Sequence, residues 1–281
     1  MWDVTQPWAI KQVTTSLNGT DLLFSPIANG RRELVVWDES DNAFDRPTLA
    51  SDKVKTQDLH GQPIPDLIII SPTQYLTQAE RVAAMHRKVD KMRVLVVDQE
   101  AVFNEFSSGT PDFIAYRHLA KMMWDRGTDS TSHRLGYMLL LGCGNYNNRS
   151  IGDSKQSLSY PKLLTWQTPA SNYENSSYTS DDYCSALADG SGAVLADANH
   201  DIAVGRFPVR SLDEARTAVD KLIKYTSQPD FGSWKASVLN VADDEDQAAH
   251  MEQAENLIQI AKANGGSDYQ FNHVFIDALT T

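Results

Sequence analysis

Cysteine is almost missing from this sequence. Only Cys143 and Cys184 occur in 281 residues, which excludes a disulfide framework, and no pair of cysteines or histidines has the spacing of a zinc site. Positive charge is scarce as well. Lysine and arginine number 25 against 37 acids, for a formal charge of −12, and a general nucleic-acid or anionic-membrane partner is disfavoured because both are held by basic patches. Long apolar runs are also lacking. Nothing approaches the roughly eighteen residues of a membrane span, and Met1-Trp2-Asp3-Val4-Thr5 has neither the basic nor the apolar region of a secretory signal. The expectation is a cytosolic chain, or one whose sequence begins inside a longer precursor.

What is present suits a globular α/β protein. Hydrophobic residues make up 41% of the chain, enough to fill one large domain or two modest ones. Residues 1–64 are an irregular or β-rich lead-in with clustered Asn, Gly, Asp and Pro and one strand at 33–37. From Pro65 the pattern changes. The continuous apolar run 66–71 predicts a strand buried on both faces of a parallel sheet. A helix follows, with Thr77 and Glu80 as a capping box and Ala79, Val82, Ala83, His86, Val89 and Met92 inward. Next come a buried strand at 94–98, a helix capped by Thr110 with Pro111 at its first position and stopped near Gly127, and a strand at 136–141 running into Gly142-Cys143-Gly144. These divisions give a first α/β subdomain at 65–144 and the start of a second at 145–281.

The second part opens with a long polar stretch, 145–200, of the kind that is functional or mobile. Residues 201–246 then read as a βαβ unit. Its parts are a buried strand at 201–209, a helix with Ser211 and Glu214 as capping box and Ala215, Ala218, Val219, Leu222 and Ile223 as its stripe, and a strand at 236–242. The acids Asp243, Asp244, Glu245 and Asp246 follow at the edge where open α/β sheets place ligands. A helix at 246–263, stopped by Asn264-Gly265-Gly266, and a strand at 272–277 complete the sequence. A last parallel strand without a following helix leaves a face uncovered, so a truncated chain is expected.

Three groups carry possible chemistry. Cys143, between glycines after a strand, is placed where a nucleophile or a phosphate cradle sits, although no histidine is marked as its base and a small-residue turn explains the glycines equally. Asp181, Asp182 and Asp189 offer hard oxygen ligands for calcium, but the spacing is not that of an EF-hand, and solvated loop acids are the alternative. The acids at 243–246 either orient a catalytic histidine or read a basic group, or else cap the helix that begins there. Of the seven histidines, His86 and His118 fall within helices and His250 lies beside the acids. His60-Gly61 is the only His-Gly pair and sits in a loop.

Six landmarks in order resemble the gingipain (C25) cysteine peptidases: residues 65–71, 106–112, 137–142, 177–183, 201–209 and 241–246. Within that family the likeness is to the sortase of the type IX secretion system of Bacteroidetes. The resemblance implies a caspase-like, mostly parallel sheet with helices on both faces. It also implies a first subdomain without catalytic residues and a second one carrying a His/Cys dyad. In such a dyad the histidine ion-pairs the thiol, the thiolate attacks the scissile carbonyl and backbone N–H groups hold the oxyanion. The family's Gly-His-Gly turn and its cysteine are not in this sequence, and the resemblance puts them beyond Thr281. It makes Asp243, Asp244 and Glu245 candidates for the acidic partner of that histidine. Gly142-Cys143-Gly144 stands where this branch has Gly-Asp-Gly, which speaks against Cys143 as nucleophile. No cofactor is required, and calcium is a separate expectation. Implied partners are proteins with a C-terminal secretion signal and other secretion-system subunits, and the implied location is the outer membrane, cell surface or periplasm. The rival readings are a non-catalytic caspase-like scaffold and, more remotely, an α/β hydrolase using Cys143.

Overall fold

The computed structural model describes residues 1–7, 9–25, 30–38, 40, 56–127, 133–149, 160–170, 172–192, 195, 198–227, 232–243 and 246–275. The chain divides into two compact units, Met1–Thr56 and Gln57–Thr281.

The first unit is built from short antiparallel strands. Strands β1 (Trp2–Asp3), β2 (Lys11–Gln12) and β5 (Leu34–Val35) form a sheet in the order β2-β1-β5, and β3 (Thr15–Asn18) pairs with β4 (Asp21–Phe24). The β3–β4 turn has two residues, and Gly19 takes its first position at φ 64°, where a tight hairpin turn needs a residue without Cβ. The strand expected at 33–37 is present as β5.

The second unit is organised around a parallel sheet. In chain order its elements are β6 (Leu67–Ser71), α1 (Leu76–Val89), β7 (Val94–Asp98), α2 (Gln99–Phe106), α3 (Ile114–Gly127), β8 (Tyr137–Leu141), β9 (Trp166–Gln167), β10 (Thr179–Ser180), β11 (Ala203–Phe207), α4 (Leu212–Ser227), β12 (Ser237–Ala242), α5 (Ala249–Ala263) and β13 (Gln270–Phe275). The four-stranded sheet has the order β11-β8-β6-β7, with every neighbour parallel. Strands β9 and β10 form an antiparallel ribbon, and β12 and β13 a separate parallel pair.

Strand β6 is central, and each of its residues is buried. Side chains alternate across a strand, so Ile68 and Ile70 pack with Phe103, Tyr116 and Leu119 from α2 and α3, whereas Leu67 and Ile69 pack with Ala79 and Val82 of α1 and Val219 of α4. Helices thus cover both faces. Strands β7 and β11 lie at the edges and are only part-buried, which corrects the expectation that both are buried. Strand β11 pairs with β8, so strands from both sides of residue 145 share one sheet.

The unit at 201–246 is not a βαβ within one sheet. Strand β11 closes the first sheet, and β12 pairs with β13 across α5, making β12-α5-β13 the parallel βαβ unit. Helix starts also shift. Helix α1 begins at Leu76 behind a short 3-10 turn with no side-chain cap, so Thr77 lies inside its first turn and Glu80 beyond it, and Glu80 pairs with Arg87 instead (2.9 Å). Met85 faces inward, while His86 pairs with Asp90 (2.7 Å) and Val89 is exposed. Helix α3 begins at Ile114, whose N–H donates to Asp112 Oδ1 (3.0 Å), so Asp112 rather than Thr110 caps it. Ser211 does cap α4, accepting from Glu214 N–H (3.1 Å), but Glu214 accepts in return from Arg210 N–H rather than from Ser211 (2.7 Å).

Two side chains of this unit make direct tests of its energetics. The Tyr75 hydroxyl is buried with no partner among the described residues, and a buried unpaired hydroxyl forfeits its hydration. Tyr75→Phe is therefore expected to hold or raise the unfolding free energy, by up to about 1 kcal/mol, in urea titration. Glu105 is the opposite case. Desolvation disfavours its charge, but the N–H groups of Leu59 and His60, the Gln57 amide and the His60 ring outweigh that and hold its pKa down to about 2. A depressed carboxylate adds stability above its unfolded value near 4.5, and that contribution fades as pH falls toward 2. Wild type minus Glu105→Gln is expected to show a stability difference of roughly 2 kcal/mol at pH 7 that shrinks between pH 4.5 and pH 2.

Candidate functional site

Because the four strands are parallel, their carboxyl ends share one edge. Chain order is β6, β7, β8, β11, while spatial order is β11-β8-β6-β7, so the order reverses between β6 and β8, the crevice where such sheets bind ligands. Here the chain fills that crevice itself. Leu163 is fully buried there and its N–H donates to Cys143 O (3.0 Å). A Cβ on Gly142 would lie 3.1 Å from Leu163 Cβ and 3.3 Å from Pro72 Cδ, and one on Gly144 would lie 1.9 Å from Thr165 Cγ2. The glycines flanking Cys143 are there because residues 163–165 lie directly on them.

Cys143 is correspondingly poor as a nucleophile. It is buried, its thiol donates to Gly144 O (3.3 Å), and Arg210 Nε donates to Sγ (3.5 Å) while its guanidinium stacks over Tyr160 (5.6 Å). The N–H groups of Gly142 and Cys143 are bonded to Phe207 O and Val209 O (both 2.9 Å), which leaves neither to hold an oxyanion. Among the described residues no histidine bonds to Cys143. Cys184 is fully buried, and burial pushes its thiol up, the direction of an inert cysteine.

The covering segment is tied down by Arg206, a cation in the middle of edge strand β11. Its Nε and Nη2 bond Asp181 Oδ2 and Oδ1 (both 2.7 Å), Nη1 donates to Gly142 O (2.9 Å) and Nη2 to Leu164 O (3.0 Å). The guanidinium fork thus joins three loops at the sheet's carboxyl edge.

The three acids proposed for calcium are not gathered. Asp181 is committed to Arg206, Asp189 is exposed and pairs with Lys121 (2.8 Å), and Asp182 lies exposed at the start of a short 3-10 turn. Among the described residues no cluster of three His, Cys, Asp or Glu is arranged to hold a metal.

The acids after β12 are placed differently. Asp243 Oδ1 accepts from His250 Nδ1 (2.7 Å), with Asp246 Oδ2 3.8 Å from His250 Nε2. The intervening Asp246, Gln247 and Ala248 all take positive φ (55°, 61° and 62°), a costly conformation for residues bearing a Cβ. Asp244 and Glu245 lie outside the described residues. His60, the histidine of the His-Gly pair, is structural: its ring bonds Glu105 (2.7 Å) and stacks on Phe106 (4.6 Å).

Sequence reading missed two features of this region. An arginine inside an apolar strand, Val204-Gly205-Arg206-Phe207, was the available signal for a buried cation needing a carboxylate. The pairing of His250 with Asp243 had a weaker signal, since the two stand seven residues apart and meet across a left-handed stretch at 246–248.

Comparison with known proteins bears on both sheets. The profile of Peptidase family C25 matches residues 60–281. Among solved structures, dimeric latent PorU from Porphyromonas gingivalis matches with 38% identity and a TM-score of 0.58, over 73% of this chain and 21% of that one. The Arg specific cysteine proteinase gingipain R matches with 15% identity and a TM-score of 0.50, over 80% of this chain and 44% of that one. The complex of P. gingivalis RgpB pro- and mature domains matches with 16% identity and a TM-score of 0.50, over 76% and 43%. This chain therefore spans about a fifth of the PorU chain and under half of the gingipain chains. No curated protein sequence matches it.

Proposed function

Because this chain belongs to peptidase family C25 and has the caspase-like α/β fold of PorU and the gingipains, we propose that it is part of a cysteine endopeptidase acting as the sortase of a type IX secretion system. In full-length form such an enzyme cleaves the C-terminal signal of secreted proteins and passes the acyl group to a surface acceptor. Its partners would be those proteins and other secretion-system subunits, at the outer membrane, cell surface or periplasm. The observation that carries this reading is the 38% identity to PorU across most of the chain.

The chemistry requires a thiolate and a histidine that the described residues do not supply. In this proposal both come from sequence beyond Thr281. The thiolate attacks the scissile carbonyl, the imidazolium gives its proton to the leaving amine, and water or an acceptor nucleophile releases the acyl group. Asp243, at the carboxyl end of β12, holds that histidine in the right tautomer. The first sheet takes no part in bond breaking, which its filled crevice and the buried Cys143 support.

Peptide cleavage tests this directly. The 281-residue chain alone is expected to show no turnover, whereas the full-length protein shows thiol-dependent turnover that Cys143→Ala leaves within about twofold, because the substitution touches no reacting atom. Thiol-dependent turnover by the isolated chain that Cys143→Ala abolishes would make Cys143 the nucleophile and sink the proposal. Absence of turnover in the full-length protein would favour the non-catalytic scaffold.

A further inference from the structure

Three asparagines in this sequence stand directly before glycine: Asn18, Asn29 and Asn264. Such a pair carries its own chemistry. The glycine amide nitrogen attacks the asparagine Cγ, the side-chain nitrogen leaves as ammonia with the proton displaced from that amide, and a five-membered succinimide remains. Water then opens either ring carbonyl to give aspartate or isoaspartate. Glycine favours the attack because no Cβ crowds its nitrogen, and water is the only co-reactant. What the fold decides is whether the two atoms can meet. Asn29 lies outside the described residues, which leaves two sites to compare.

At Asn264 the fold opposes the reaction. This residue closes α5, with its N–H bonded to Ile260 O and Ala261 O (both 3.1 Å) and the N–H of Gly266 bonded to Ala261 O (2.8 Å). Its Nδ2, the leaving group, donates to Ile260 O (2.8 Å). That bond must break before Cγ can turn toward Gly265. The backbone is also packed on the helix end, since a Cβ on Gly266 would lie 2.6 Å from Ala261 O.

Asn18 is held by none of this. It is the exposed last residue of β3, and among the described residues neither its side chain nor the Gly19 N–H has a hydrogen-bond partner. The space around Gly19 is open, because a Cβ built there meets no atom within 4 Å. Strands β3 and β4 pair only with each other, and every residue of β4 is exposed. A lone two-stranded hairpin is marginal in water and opens locally, which frees the rotation that the attack needs.

We propose that Asn18-Gly19 is a site of spontaneous deamidation in the folded protein, and that its products loosen the β3–β4 hairpin. Asn18 stands directly opposite Asp21 in the ladder, so aspartate at 18 sets two carboxylates across one pair, an unfavourable contact. Isoaspartate does more. It adds a methylene to the main chain and so displaces the register that the two-residue turn fixes. The proposal is independent of the peptidase reading, because it uses no thiol or histidine.

The test incubates the intact 281-residue chain in mildly alkaline buffer, then follows the peptides holding residues 18 and 264 by mass spectrometry, with isoaspartyl methyltransferase reporting isoaspartate. The same chain unfolded in guanidinium chloride gives each site's rate without the fold. A gain of about one dalton is expected at Asn18. Its folded-to-unfolded rate ratio should exceed that of Asn264 by roughly fivefold or more, the factor that one hydrogen bond adds to a barrier. Equal ratios, or a larger one at Asn264, overturn the proposal. In the aged sample the amides of residues 15–24 should exchange faster while those of 67–71 keep their protection, and unchanged exchange in the converted hairpin would refute the loosening. Asn18→Gln, which cannot close the five-membered ring, should keep its hairpin protection through the same incubation; equal loosening in that variant also counts against the proposal.

Discussion

Arg206→Met is expected to destabilise the second unit by about 3–5 kcal/mol, the range for removing one partner of a buried ion pair, measured by urea unfolding. Four bonds from one guanidinium end on Asp181, Gly142 O and Leu164 O. Its side chain is only 12% exposed and that of Asp181 24%, so solvent screens this pair far less than a surface one. Methionine keeps the aliphatic stem but leaves the Asp181 carboxylate and two carbonyls without their donor. A second effect should accompany the first. Amides of residues 163–165 should exchange faster with solvent, because one of the bonds that hold this segment over Gly142 and Gly144, that to Leu164 O, comes from Arg206. The double substitution Arg206→Met with Asp181→Leu should recover much of the loss, since removing both charges leaves no unpaired carboxylate. If the double variant is as unstable as Arg206→Met, the damage lies in the carbonyl contacts rather than in the stranded charge.

That pair also shows where reading the sequence reached its limit. Strand β6 was legible because both faces of a central parallel strand are apolar, so Leu67-Ile68-Ile69-Ile70 leaves little choice. Edge strands β7 and β11 carry much the same composition, and nothing local separates an edge from a centre. Helix α2 was overlooked for a different reason. Asp98 both ends β7 and caps the helix through Glu100 N–H (3.1 Å), so no turn residues intervene to announce it. The assignment of β12 to β13 rather than to β11 depends on which strands meet across more than thirty residues, and periodicity contains no such information. Within the candidate site, Asp243 was legible from its place after a strand, whereas the partners of Asp181 and His250 are tertiary facts. The family landmarks located the fold and left those pairings to the structure.

Asp243→Asn in the full-length protein is expected to lower kcat/KM by about 10²–10⁴, most of it in kcat, because an orienting carboxylate acts by fixing the tautomer of a catalytic histidine. Stability does not explain the placement of this acid. Asp243 and His250 have side chains 38% and 50% exposed, and an exposed pair of that kind is worth about 0–1 kcal/mol. Three successive left-handed residues cost more than such a pair returns. A strained turn that the local pair cannot offset is what functional sites retain. His250 is the competing claimant for the same carboxylate, and His250→Ala separates the two roles. If Asp243 serves the dyad histidine, removing His250 leaves kcat within about threefold and Asp243→Asn alone collapses it. Equal losses in both variants would instead make the Asp243–His250 pair the functional unit, and an undiminished kcat in Asp243→Asn would remove this acid from the mechanism. A pH profile of kcat/KM adds a readout that simple misfolding would not imitate. Asparagine at 243 should shift the basic-form limb of the dyad histidine to lower pH, because the imidazolium loses its neighbouring negative charge.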